Sequence, residues 1–139
     1  MLKYAHHKAL IGFDFGLKRI GVATANTITR IATPLTILRA NNGVPDWVAV
    51  SRIIDEWTPD LLVIGLPVNM DDSDGELSSR AKKFARRLST RFHKRTVMID
   101  ERLTSCEAKR IRPGEKIDDL AATFILETWL NAPSSASDP

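Results

Sequence analysis

A chain of 139 residues, with 43% hydrophobic and 27% charged residues, is long enough to bury one core and ordinary for a single domain. No apolar stretch approaches the ~20 residues needed to span a bilayer, the N-terminal MLKYAHHKALIGFDFG lacks an apolar signal region, and the one cysteine, Cys106, allows no intrachain disulfide. These features argue against a helical membrane protein and a disulfide-stapled secreted scaffold and predict a cytoplasmic protein, while a net charge of +3 and a pI of about 9.2 permit an anionic partner without demanding one.

In chain order, Lys8–Phe15 reads as a buried strand, and Arg19–Thr24 as a second strand after the Gly16 turn, at hairpin spacing. Thr33–Leu38 is a third strand, with Pro34 near its start, where a missing N–H is tolerated. The stretch NNGVPD has loop chemistry. Pro45–Trp57 carries Val48, Val50, Ile53, Ile54 and Trp57 at helical spacing, and Leu61–Ile64 is a short apolar strand suited to the centre of a sheet. A polar loop, Asn69–Gly75, leads to the clearest helix, Glu76–Phe92, with Leu77, Ala81, Phe84 and Leu88 on one face. Lys94–Ile99 is a further strand, Thr104–Arg110 is helical, and Ile117–Leu130 is a final helix. Residues 1–132 then form one domain, and the small polar tail PSSASDP, residues 133–139, is expected to be disordered. Strands first in a meander and then alternating with helices predict an α/β fold, a mixed sheet with helices on both faces.

Three acids stand where the chain leaves or enters an apolar element: Asp14, Glu101 and Asp118. Sites in open α/β sheets gather at the carboxyl ends of strands, so parallel neighbours would bring Asp14 and Glu101 to one edge. Clustered carboxylates repel unless a cation neutralises them, and Mg²⁺ prefers such hard oxygen donors. Ions of this kind can activate water and stabilise a leaving oxygen in phosphodiester cleavage. Each acid also has a plainer role open to it. Asp14 can bond turn amides, Glu101 can pair with Arg102 at the surface, and Asp118 with Asp119 can cap a helix.

Arg80, Lys83, Arg87 and Arg91 fall at i, i+3, i+7 and i+11 on the Glu76–Phe92 helix, a narrow basic stripe that is either a phosphate track or a solvated face. Asn69 follows the short central strand and either binds a ligand or shapes its loop. Asp71, Asp72 and Asp74 lack the glycine and glutamate spacing of a calcium loop. His6, His7, His93 and Cys106 read as structural or surface residues, and Trp47, Trp57 and Trp129 as core rather than stacking platforms.

Four blocks, GFDFGLKRIGVA, VIGLPVNMDDSDGELSSRAKKFARRL, DERLTSCEA and IDDLAATFILETWL, together resemble the YqgF/RuvX family, in the family's order and over most of the chain. The resemblance implies an RNase H-like fold with a five-stranded mixed sheet, and a metal-dependent nuclease using Mg²⁺ or Mn²⁺. It implies Asp14, in D-x-G-x-K-R-I-G-V-A, as the first catalytic and metal-binding acid. Glu101 in D-E-R-L-T-S is the second, and Asp118 in D-x-x-A-A the third. Lys18 and Arg19 then steady a phosphate near the first turn, with Asn69 and the basic stripe as further nucleic-acid contacts. The implied substrate is pre-16S rRNA, in ribosome biogenesis. A four-way DNA junction is the alternative substrate, and a non-catalytic RNA-binding module the alternative role; the protein would be a monomer or, for junction resolution, a two-fold homodimer. The Glu101–Asp118 link is shorter than the family's usual one.

Overall fold

A computed structural model describes residues 8–66, 75–100 and 117–139, with residues 117–119 by backbone alone. The strands are β1 (Ala9–Asp14), β2 (Arg19–Asn26), β3 (Thr33–Asn41), β4 (Val44–Pro45), β5 (Leu61–Leu66) and β6 (Arg95–Asp100), and the helices are α1 (Trp47–Trp57), α2 (Glu76–Phe92) and α3 (Ile117–Asn131). The sheet order is β4-β3-β2-β1-β5-β6. β1, β2, β3 and β4 form an antiparallel meander, while β5 and β6 run parallel to β1, so the expected α/β mixed sheet is present.

The sheet has six strands among the described residues, not the expected five. The added strand, β4, lies within the stretch read as a loop. Asn42 and Gly43 both have positive φ (54° and 86°), the requirement of a type I′ hairpin turn, and Asn41 pairs with Val44 across them. The Asn-Gly pair was the available sequence signal. β3 correspondingly runs three residues past Leu38, and α1 begins at Trp47, after Asp46 caps it by accepting a 2.9 Å bond from the Val48 N–H.

Each face of the sheet buries its own core. Ile11, Phe13, Ile20, Leu62, Ile64 and Met98 pack against α1 and α2, and Phe84 of α2 meets Phe13 edge-on at 5.6 Å. Leu10, Leu61, Val63, Val97 and Ile99 pack on the opposite face against Ala122, Ile125, Leu126 and Leu130 of α3. β5 is buried on both faces, as its continuous apolar run requires. Of the described α3 side chains only Glu127 and Asn131 are exposed.

Two further expectations are corrected. The tail is docked, not disordered: a 3₁₀ turn at Pro133–Ser135 leads Ser137 onto the outer edge of β6, where it exchanges backbone hydrogen bonds of 2.7 and 2.9 Å with Met98. Covering an edge strand satisfies its otherwise unpaired donors and acceptors. Trp57 is not core but 40% exposed at the end of α1, and Val48 is also exposed. Only the Val50 and Ile54 positions of that helix are fully buried. The polar loop before Gly75 and the Thr104–Arg110 helix fall outside the described residues, as do His6, His7 and Cys106.

Gly12 controls how close α3 comes to the sheet. A Cβ built there would meet Leu126 Cγ at 2.6 Å and the Ala122 carbonyl oxygen at 3.1 Å. Gly12→Val is therefore expected to lower stability by about 1–3 kcal/mol, the usual cost of overpacking, read as a lower midpoint in urea unfolding. An unchanged midpoint would contradict this packing.

Candidate active site

The candidate site is built outward from β1. Its alternation sends Ile11, Phe13 and Phe15 to the α1/α2 face and Leu10 and Gly12 to the α3 face. Asp14 shares the Gly12 parity, ends the strand half-buried, and pairs in register with Gly21 of β2. An acid at this position is thus delivered to the carboxyl edge of the sheet, on the face that α3 covers.

The next four residues are fixed tightly. A Cβ at Gly16 would collide with the Arg19 carbonyl oxygen, so only glycine fits this turn without displacement. The Lys18 carbonyl accepts a 2.8 Å bond from the Ala40 N–H, and the Leu17 carbonyl a 2.9 Å bond from the Gly43 N–H. Gly43 also sits against Phe15, whose Cζ would be 2.8 Å from an added Cβ. Lys18 and Arg19 project from this braced turn and are exposed.

The orientation of α3 follows from its far end. Arg30, beyond the end of β2, donates from its guanidinium to the Leu130 carbonyl at 3.1 Å and to Asn131 Oδ1 at 3.2 Å, where its charge also suits a helix C-terminus. Because β2 is antiparallel to β1, this fastening holds the C-terminal end of α3 beside the N-terminal end of β1. The first turn of α3, with the Asp118 backbone, therefore lies toward the end of β1 that carries Asp14. Asp118 precedes Ala122, the residue over Gly12, by one helical turn.

The third position is approached by β6. In register, Phe13 of β1 lies beside Ile64, and Ile64 beside Met98, so β1 and β6 are two strand spacings apart, about 10 Å. β6 ends at Asp100, and Glu101 is the next residue, outside the described set with Asn69. Val97 and Ile99 face α3, and Glu101 is the next odd position in the sequence. The fold thus brings the Asp14 end of β1, the end of β6 and the first turn of α3 to one edge.

Among the described residues no group of three His, Cys, Asp or Glu side chains gathers as a metal site. The donors that the three positions would offer are all carboxylates, without thiol or imidazole, and that chemistry fits a hard divalent cation.

The basic stripe is divided. Arg80 donates from Nε and a terminal nitrogen to Glu76 Oε1, at 3.1 and 2.6 Å, and from the other to the Asn42 carbonyl at 3.0 Å. Arg91 lies over the Trp47 ring, 4.3 Å from its centroid. Lys83 and Arg87 are exposed, and so is Arg86, which the stripe read from spacing left out. His93 ends α2 in the left-handed region, a structural position. Trp47 is half-buried and stacked on Phe84 at 6.0 Å.

Comparison with known proteins follows the same lines. The family model described as "RuvX: Holliday junction resolvase" matches residues 8–132. A protein of Hahella chejuensis named "Putative pre-16S rRNA nuclease" is 46% identical over 132 residues, covering 88% of this chain and 84% of that one. One of the same name from Pseudomonas putida is 47% identical over 135 residues, covering 90% and 96%. Among solved structures, T. thermophilus RuvC in complex with a Holliday junction substrate has a TM-score of 0.56 at 13% identity, covering 94% of this chain and 99% of that one. The fowlpox virus resolvase bound to junction DNA has a TM-score of 0.53 at 12% identity, covering 90% and 98%. These structural likenesses establish an RNase H-like fold.

Gly16→Ala is expected to destabilise the chain by roughly 1–3 kcal/mol, whereas Lys18→Ala, at an exposed position, should stay within about 0.5 kcal/mol. Thermal unfolding of the two variants separates the steric need of the turn from its surface charge; equal shifts would contradict the account.

Proposed function

The chain belongs to the RuvX family and is a nuclease, a phosphodiester hydrolase, and from that premise we propose that it is a divalent-metal-dependent endonuclease acting on the 5′ end of precursor 16S rRNA in the cytoplasm. The observation that carries the reading is the close seating of α3 on Gly12, which sets the Asp118 turn beside the end of β1 two residues from that glycine. Asp14, Glu101 and Asp118 would together hold Mg²⁺ or Mn²⁺. When bound, such an ion supplies Lewis acidity to the phosphodiester and makes water a usable nucleophile near neutral pH.

The remaining work belongs to this chain's own groups. Exposed Lys18 and Arg19, on a turn braced by Ala40 and Gly43, are suited to hold a phosphate in a fixed relation to Asp14. The α2 stripe of Arg80, Lys83, Arg87 and Arg91 offers positive charge for the flanking backbone, and Asn69, three residues after β5 in the sequence, would be a further contact. Precursor rRNA as substrate rests on the relatives' names and on their high coverage of this chain.

A four-way DNA junction is the second reading, favoured by the family description and by the likeness to RuvC. Symmetric cutting of two strands requires a two-fold dimer, so a monomer in solution would count against it.

The test is cleavage of a precursor 16S rRNA 5′ leader with Mg²⁺ or Mn²⁺, beside a four-way DNA junction. The reading predicts metal-dependent RNA cutting, lowered at least ~100-fold in Asp14→Asn, in line with loss of a carboxylate that would hold the ion stabilising transition-state charge. Junction cutting alone would transfer the assignment to the second reading. Full activity in folded Asp14→Asn would remove Asp14 from the site.

A further inference from the structure

α2 carries six basic residues from Arg80 to Arg91, and their surroundings are not alike. Arg80 is held by Glu76 and the Asn42 carbonyl, and Arg91 by the face of Trp47. Between them, Lys83, Arg86 and Arg87 are exposed and make no ion pair or hydrogen bond with another described residue. They occupy i, i+3 and i+4, one side of the helix.

All three line a groove between α2 and the β3–β4 turn. One part, about 600 Å³, is bounded across from them by Asn42, Gly43 and Trp47; an adjoining part, about 650 Å³, is bounded by Val44, Trp47 and Thr90. Among the described residues the acid that lines it, Glu76, is already paired with Arg80 at 2.6 Å. The groove is therefore cationic among the described residues, with no acid of that set paired to the three cations along its centre. Trp47, which lines both parts, stacks on Phe84 at 6.0 Å and has Arg91 over its ring at 4.3 Å.

We propose that this groove binds the phosphodiester backbone of the RNA strand flanking the cut, with Lys83, Arg86 and Arg87 as its phosphate contacts. The proposal rests on the nuclease reading and narrows it. Lys83 to Arg87 spans about 6 Å of helix axis, so the three cations lie close enough together to meet neighbouring phosphates of one strand. Its position relative to the cut is set by the backbone. The Gly43 N–H that forms the groove wall donates to Leu17, three residues beyond Asp14. Cation contacts to phosphates bind with strong salt dependence and carry no sequence information of their own.

The test is equilibrium binding of the same 5′-leader RNA to the full chain in EDTA, across a series of KCl concentrations. Lys83→Gln, Arg86→Gln and Arg87→Gln combined are expected to lower the slope of log affinity against log salt by about 2, three contacts at ~0.7 each. Arg80→Gln with Arg91→Gln should lower it by less than about 1, because both are engaged within the protein. Circular dichroism and the thermal midpoint of each variant establish that it is folded. An unchanged slope in the triple variant, with wild-type protein that binds and cuts RNA, overturns the groove and leaves the nuclease reading standing. Wild-type protein that neither binds nor cuts the RNA overturns both.

Discussion

The placement of everything at the candidate site depends on the absence of one side chain, at Gly12. There the Ala122–Leu126 turn of α3 approaches the β1 backbone so closely that a Cβ would lie 2.6 Å from Leu126 Cγ. Close approach of this kind is what a strand glycine permits, and it costs the strand some intrinsic stability. What it sets is distance: the helix comes down onto β1 two residues before Asp14. Arg30 fastens the other end of the same helix through the Leu130 carbonyl and Asn131, so both the depth and the direction of α3 are determined.

A second set of contacts ties the two faces of the sheet together. The turn after Asp14 hydrogen-bonds to Ala40 and Gly43, Gly43 rests on Phe15, and the neighbouring Asn42 carbonyl accepts from Arg80 of α2. A continuous run of bonds and packing thus joins the turn after Asp14 to the basic helix on the opposite face. The surface that would capture a polyanion and the turn that follows Asp14 are consequently joined by direct contacts. That is the preorganisation that phosphodiester chemistry rewards, because misplacement by an ångström is expensive.

Elements dominated by local periodicity were readable from the residues alone. α2 has the expected limits, Glu76 and Phe92, because Ala81, Phe84 and Leu88 recur at helical spacing and are buried together. β1 and β5 were evident from apolar runs ended by Asp14 and Gly65. What escaped was set by contacts distant in sequence. Ser137 pairs with Met98, and no local pattern in a polar tail announces such a bridge. β4 is only two residues long, and its one local signal is the Asn42-Gly43 turn. Trp57 keeps the helical spacing of its neighbours but falls at the end of α1, beyond the reach of the core. At the site, the delivery of Asp14 to a strand end could be read from sequence. The division of the basic stripe could not, because the partners of Arg80 and Arg91, Asn42 and Trp47, belong to other elements.

The central claim is that β1 and α3 contribute to one metal site. Calorimetric titration of Mn²⁺ into the wild-type chain, Asp14→Asn and Asp118→Asn tests it most directly. The account predicts binding by the wild type and a loss of roughly tenfold or more in each variant, since affinity follows the number of charged ligands. Unchanged Mn²⁺ affinity in either folded variant would contradict it.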